Sequence, residues 1–321
     1  GMVQLIYRTS HADGERLVAD ARIAATGYTG SRHAGLQLKT AADASGKPIY
    51  LELSSVNPIV ILPQAMEQQH EEIATEFTGS CLMGTGQFCT NPGLVVVLSS
   101  AATDSFITAL SEQFMEAPVG TLLSSGVESS LASNLKILVD AGAEIVVGNT
   151  SADSDRYCYA NTLLKVTAQQ FIADPETMQT EAFGNSSLLV VAASMVEVNA
   201  VIACFEGNLT GCIYSATDGS DDAAYDQIAA HLQSKVGRML NDKMPTGVAV
   251  SAAMNHGGPF PATGHSGFTA VGIPGSLLRF AMLQCYDNIR HDRLPAALRD
   301  ENPNGELWRC VDGNWTRGNI N

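Results

Sequence analysis

The chain of 321 residues lacks an apolar run of the roughly 18 to 20 residues that a membrane-crossing helix needs, which excludes a helical span. Basic residues are few: 18 Lys and Arg stand against 33 Asp and Glu, a formal net charge of -15. Such a surface repels polyanions and the anionic face of a membrane, so neither nucleic acid nor membrane is expected as a partner. The seven cysteines, an odd number, include no CxxC or CxxH pair. No disulfide framework, zinc site or other metal site is expected from that spacing, and a reducing cytoplasm is the expected location. The start lacks the apolar core of a secretory signal, since Arg8, His11, Asp13 and Glu15 interrupt it. No internal repeat is evident.

The hydrophobic content of 45% against 16% charged residues suits a folded chain that buries a core. Short apolar runs alternate with longer amphipathic ones, the pattern of βαβ units and an α/β fold with a mostly parallel sheet. Strands are expected at Val3–Tyr7, Ile23–Tyr28, Pro48–Leu53, Pro58–Leu62, Leu94–Ser99, Glu144–Val147, Leu163–Val166, Leu188–Ala193 and Cys212–Ser215. Helices are expected at Ser10–Ala21, Arg32–Ala44, Glu67–Met83, Asp104–Glu116, Val127–Ala141 and Met195–Cys204. One more is expected over Asp222–Asn241, where Ala223, Ile228, Leu232, Val236 and Leu240 share a broad apolar face. Beyond Val248 glycine and proline dominate, up to an apolar strand expected at Leu277–Tyr286 and a polar tail.

Cys89 lies in Gly84-Thr85-Gly86-Gln87-Phe88-Cys89-Thr90-Asn91-Pro92-Gly93, a glycine-rich break between a long helix and a strand. Small neighbours there let a substrate approach the sulfur and the adjacent backbone N–H. A thiolate attacks carbonyl carbon and leaves again from a thioester, so one cysteine can carry an acyl group between two steps. A buried structural cysteine fits the same spacing and is the expected state of the other six. Glu52, at a strand end, reads either as a solvated carboxylate or as a base that activates water. Gly30-Ser31 before a helix reads either as a plain cap or as a phosphate-binding helix start.

Together these residues resemble the aldehyde dehydrogenase family. Gly86-Gln87-Phe88-Cys89-Thr90 resembles its catalytic cysteine motif, Tyr50-Leu51-Glu52-Leu53 its general-base motif, and Gly27-Tyr28-Thr29-Gly30-Ser31 its nucleotide-binding turn. Glu181-Ala182-Phe183-Gly184 is similar to the segment that holds the nicotinamide ribose. His256-Gly257-Gly258-Pro259-Phe260-Pro261-Ala262-Thr263, with Val56-Asn57-Pro58 and Arg299-Asp300-Glu301-Asn302-Pro303, resembles the branch of alpha-ketoglutaric semialdehyde and NADP-dependent fatty aldehyde dehydrogenases.

The resemblance implies oxidation of an aldehyde to a carboxylate with NAD or NADP, through a thioester on Cys89. It implies a catalytic set of Cys89, Glu52 and His256, the last as acid, base or relay, although a loop histidine with a structural hydrogen bond fits equally. Gly30, Ser31, Leu53, Glu181 and Phe183 are the implied cofactor-binding residues. It further implies a parallel-sheet catalytic domain over 54–250, a truncated Rossmann-like nucleotide-binding remnant over 1–53, and a C-terminal segment, 251–321, whose strand joins a homo-oligomer. Relatives carry further nucleotide-binding and oxyanion residues in a segment ahead of position 1. They also usually have glycine where Arg8 and Ser54 stand, and proline where Asn185 stands. An inactive fragment and a cofactor-free thiol esterase are therefore the alternative expectations.

Overall fold

Two serines set the first helices. Ser10 accepts the Asp13 backbone N–H and starts α1 (His11–Ala19), and Ser31 accepts that of Ala34 and starts α2 (Arg32–Ala44). Each satisfies an amide that a helix start leaves open. In the computed structural model, which describes residues 2–152, 155–272 and 274–320, α2 links β1 (Thr26–Thr29) to β2 (Ile49–Glu52). These two strands run parallel, with Thr29 opposite Glu52, and form a small Rossmann-like βαβ unit.

The main sheet follows. Its first members are β3 (Ile59–Ile61), α3 (Pro63–Leu82), β4 (Leu94–Leu98), α4 (Ala101–Glu116), α5 (Ser125–Asp140), β5 (Glu144–Val147) and β6 (Thr162–Thr167). After two short helices, α6 (Ala168–Ala173) and α7 (Pro175–Met178), come β7 (Ser186–Ala192), α8 (Met195–Ala203), β8 (Asn208–Tyr214), α9 (Asp222–Leu232) and β9 (Val236–Asn241). The seven strands lie in the order β5-β6-β7-β4-β3-β8-β9, and every pair is parallel except β5 with β6. Period-two alternation divides the core between the faces. Ile59, Ile61, Val95 and Val97 pack with Phe77 of α3 and Phe106 of α4; Val60, Val96 and Val190 pack with Leu135 of α5, Val201 of α8 and Ile228 of α9. The expected α/β class with a mostly parallel sheet is what the chain adopts. Among the described residues no helix is long and apolar enough to cross a membrane.

Three expected elements are corrected. Val3–Tyr7 forms no strand: Val3, Leu5 and Tyr7 are exposed, and among the described residues no neighbouring strand supplies the ladder that an extended segment needs. The helix expected over Asp222–Asn241 ends at Leu232, and Val236–Asn241 is instead the edge strand β9, parallel to β8. Lys235 makes the change of direction, its Nζ donating to the Ala203 and Phe205 carbonyls at 2.9 Å each. Leu277–Tyr286 is not a strand either. A 3-10 turn covers Gly275–Phe280, and the residues after it up to Tyr286 have no ladder partner among the described residues and form no regular element.

The chain divides into a unit ending at Arg279 and a unit spanning Phe280–Asn321. In the second, β10 (Arg309–Val311) and β11 (Asn314–Thr316) form a hairpin around Asp312-Gly313, both residues at positive φ as a tight two-residue turn requires. Buried Arg309 organises this unit by donating to the carbonyls of Arg299, Asp300 and Gly318.

Candidate active site

Cys89 is carried by a sharp turn after α3, where Gly84, Thr85 and Gly86 all have positive φ (56°, 60° and 67°). A side chain at Gly86 would collide with the Gly184 carbonyl, so glycine lets this turn lie against the 181–184 segment. Gln87 ties the turn down, donating to the Gly84 and Thr121 carbonyls at 3.0 and 3.2 Å and accepting from Leu123 N–H at 2.8 Å. Cys89 itself is half-buried. Its carbonyl accepts from Asn57 Nδ2 at 3.0 Å, and the same amide donates to the Asn91 carbonyl at 2.9 Å. Asn57, at φ 46°, is locked in turn: its N–H donates to Asn208 Oδ1 at 3.1 Å, and its Oδ1 accepts from Thr210 Oγ1 at 2.9 Å. Buried polar groups connected in this way fix one geometry, because each broken link leaves a group unsatisfied.

Glu52 ends β2 and His256 lies in the loop after β9. That loop is pinned on both sides. Asn255 Nδ2 donates to the Gly237 carbonyl on β9, Leu53 N–H donates to the Ala262 carbonyl and Gly264 N–H to the Leu51 carbonyl, with Glu52 bridged to Thr263. His256 N–H also donates to Thr269 Oγ1 at 2.8 Å. As a result His256 Nε2 lies 3.4 Å from Cys89 Sγ and 3.0 Å from Glu52 Oε1. The imidazole and carboxylate are only 12% and 10% exposed. Contact with the sulfur, and then with Glu52, pushes the His256 pKa up to about 9 against the opposing effect of burial.

Cys89 and Glu52 open on a cleft of about 580 Å³, whose wall also includes Gly30, Ser31, Leu53, Glu181 and Phe183. His256 is reached from behind, through a small pocket shared with Glu52, Tyr50 and Thr263. Glu181 is half-buried, and its withdrawal from water pushes its carboxyl up to about 7, although hydrogen bonds from Ser55 N–H and the Ser54 side chain and the charge of Arg32 oppose the shift. Asn134 of α5 donates to the Glu181 carbonyl at 2.8 Å. Asn185, which follows the glycine at 184, is buried and donates to Asn161 Oδ1 and the Tyr159 carbonyl at 2.7 and 2.8 Å.

A family model described as "Aldehyde dehydrogenase family" matches residues 1–259. The chain belongs to the aldehyde dehydrogenase family. It is similar to alpha-ketoglutaric semialdehyde dehydrogenase 2 of Azospirillum brasilense, 36% identical over 307 residues, and to the alpha-ketoglutaric semialdehyde dehydrogenase of Acinetobacter baylyi, 33% identical over 303 residues. In both cases the match covers 94% of this chain and 57% of the relative, so the chain spans little more than half the length of these dehydrogenases. Among solved structures, the betaine aldehyde dehydrogenase of Staphylococcus aureus superposes with a TM-score of 0.69 at 18% identity, over 83% of this chain and 52% of that one. The succinic semialdehyde dehydrogenase of Streptococcus pyogenes, solved with NADP+, superposes with a TM-score of 0.63 at 22% identity, over 78% and 53%. These two likenesses establish the aldehyde dehydrogenase fold.

All eight residues singled out from sequence therefore lie around one place, with the thiol, imidazole and carboxylate in contact and the other five along the cleft. Sequence reasoning missed the supporting asparagines. Asn57 and Asn91 drew notice only as parts of motif segments, and Asn208 and Asn134 not at all. An isolated Asn carries no periodic signal; only Asn57 and Asn91, each immediately before a proline in a turn-forming segment, offered a local cue.

Proposed function

We propose that this chain carries the thiol chemistry of an NAD(P)-dependent oxidation of an aldehyde to a carboxylate, with a semialdehyde such as 2,5-dioxopentanoate as substrate. The observation that carries the reading is the contact of Cys89 Sγ with His256 Nε2, itself in contact with Glu52, where Cys89 and Glu52 line a cleft shared with Glu181 and the start of α2. The two dehydrogenases of that substrate name support the substrate class.

The cleft suits an extended nucleotide on two grounds. Its wall runs from Gly30 and Ser31, at the positive end of α2, to Cys89, and Glu181 offers a carboxylate between them. Gly30 and Ser31 would hold phosphate, Glu181 ribose hydroxyls, and Leu53 and Phe183 the apolar ring faces. When bound, the nicotinamide supplies the hydride acceptor. Residues 1–53 contribute the phosphate end of the cleft together with Glu52, and residues 54–250 contribute the thiol and the ribose-facing Glu181.

The protein's own part follows from geometry. Cys89 sulfur attacks the aldehyde carbon to form a hemithioacetal, whose oxyanion the Cys89 backbone N–H would hold. His256, touching both sulfur and carboxylate, takes the thiol proton and releases it to solvent, which leaves Glu52 ionised for the second step. After oxidation to the thioester, Glu52 takes a proton from water, hydroxide adds to the acyl carbon, and the C–S bond breaks to release the carboxylate. Aldehyde-dependent absorbance of reduced nicotinamide tests this. Wild type is expected to be active and Cys89→Ala to lose at least about 1,000-fold. Ester hydrolysis without nucleotide is a second reading, favoured by the direct imidazole contact of the sulfur, which needs no cofactor. Neither activity in the folded chain would contradict both.

A further inference from the structure

We propose that Cys89 Sγ, His256 Nε2 and Glu52 Oε1 also form a three-ligand site for Zn2+, and that Zn2+ bound there switches the thiol off. The three ligand atoms all lie within 4.8 Å of one another. Tetrahedral zinc with ordinary Zn–S, Zn–N and Zn–O bonds sets its ligand atoms about 3.4 to 3.6 Å apart. The S···N and N···O separations of 3.4 and 3.0 Å need only a few tenths of an ångström to meet that. One Nε2–H cannot point at both the sulfur and the carboxylate, whereas a cation at their common centre engages all three.

The ligands are also pre-positioned. The Cys89 carbonyl is held by Asn57, His256 N–H by Thr269, and the Glu52 backbone by its bridge to Thr263. Ligands fixed by such outer contacts bind more tightly than mobile ones. Both Cys89 and Glu52 line the cleft, which leaves the fourth position to water or a small anion. A thiolate with an imidazole selects zinc-like ions over Mg2+ and Ca2+, which prefer oxygen. Binding displaces the Sγ and Nε2 protons to solvent and ties up the sulfur lone pair that attack requires. No spacing motif announced this site: the ligands are 167 and 204 residues apart and only the fold assembles them.

The test uses Co2+ as a spectroscopic stand-in for Zn2+, on the full chain with the exposed Cys285 and Cys310 replaced by serine. One equivalent is expected to give a thiolate-to-cobalt charge-transfer band that Zn2+ abolishes and excess Mg2+ does not. The band is expected to vanish in Cys89→Ala, and affinity to fall about 100-fold in His256→Ala. In wild type, needing no variant, Zn2+ is expected to protect Cys89 from iodoacetamide and EDTA to restore labelling. A band of full strength in Cys89→Ala, or no protection of Cys89 in the folded wild type, would overturn the proposal. It shares residues with the oxidation proposed above, but neither readout involves turnover. Metal binding without oxidation defeats only that reading, and oxidation without metal binding defeats only this one.

Discussion

Two single residues in the site act on stability in opposite directions: buried Glu181 costs it, and Asn57 supplies it while holding the cysteine turn. A glutamate ordinarily titrates near 4.5, whereas burial holds the Glu181 carboxyl near 7. Because the folded value lies above the unfolded one, its contribution to stability is whole below about 4.5 and is lost as pH rises through about 7. Glu181→Gln removes the charge while keeping the shape. It is expected to raise the unfolding free energy by about 2 kcal/mol at pH 8, with a smaller gain at pH 5. Urea titrations at the two pH values check this, and equal gains at both would contradict it. Asn57→Ala strands the Cys89 and Asn91 carbonyls and is expected to destabilise the chain by about 2 to 4 kcal/mol. The same titration reads that loss, and a change under about 0.5 kcal/mol would mean the network does not hold the cysteine turn.

At the scale of elements, β9 shows where periodicity misleads. Leu232, Val236 and Leu240 are four residues apart, a spacing that lies near one helical turn and is also a whole number of strand repeats, so the apolar pattern fits both. Gln233-Ser234-Lys235 was the polar break that ends the helix, and Gly237 marks the strand, since a side chain there would collide with the Gly257 carbonyl. That close approach is what fastens the His256 loop to the sheet edge. Gly237→Ala is therefore expected to cost about 1 to 3 kcal/mol. It is also expected to displace His256 from the sulfur, which thermal unfolding and loss of the His256 ring signal shift on alkylating Cys89 would register. An unchanged melting temperature would contradict it. The buried strands β3, β4 and β7 were legible because their apolar β-branched runs allow few other structures. Val3–Tyr7 and Leu277–Tyr286 were not, because a strand is defined by its neighbour as much as by its residues.

At the scale of the whole molecule, motif residues could be read from sequence but not the loop geometry that brings His256 to a thiol 167 positions away. Assembly beyond one chain is a proposal at the same scale. Leu277 and Leu278 are 56% and 61% exposed, and in the C-terminal unit Met282 and Leu283 are 79% and 98% exposed, apolar surface that an oligomer would cover. Sedimentation velocity at micromolar concentration is expected to show a species heavier than the 33.8 kDa chain, and a stable monomer would contradict it. The most direct test of the whole account is to trap the acyl group. With 2,5-dioxopentanoate and NADP+ or NAD+, Glu52→Gln should form the thioester and hydrolyse it slowly. Peptide mass spectrometry is then predicted to find the acyl mass on Cys89; an acyl group on another residue, or a folded variant that reduces nucleotide with Cys89 unmodified throughout, would contradict the account.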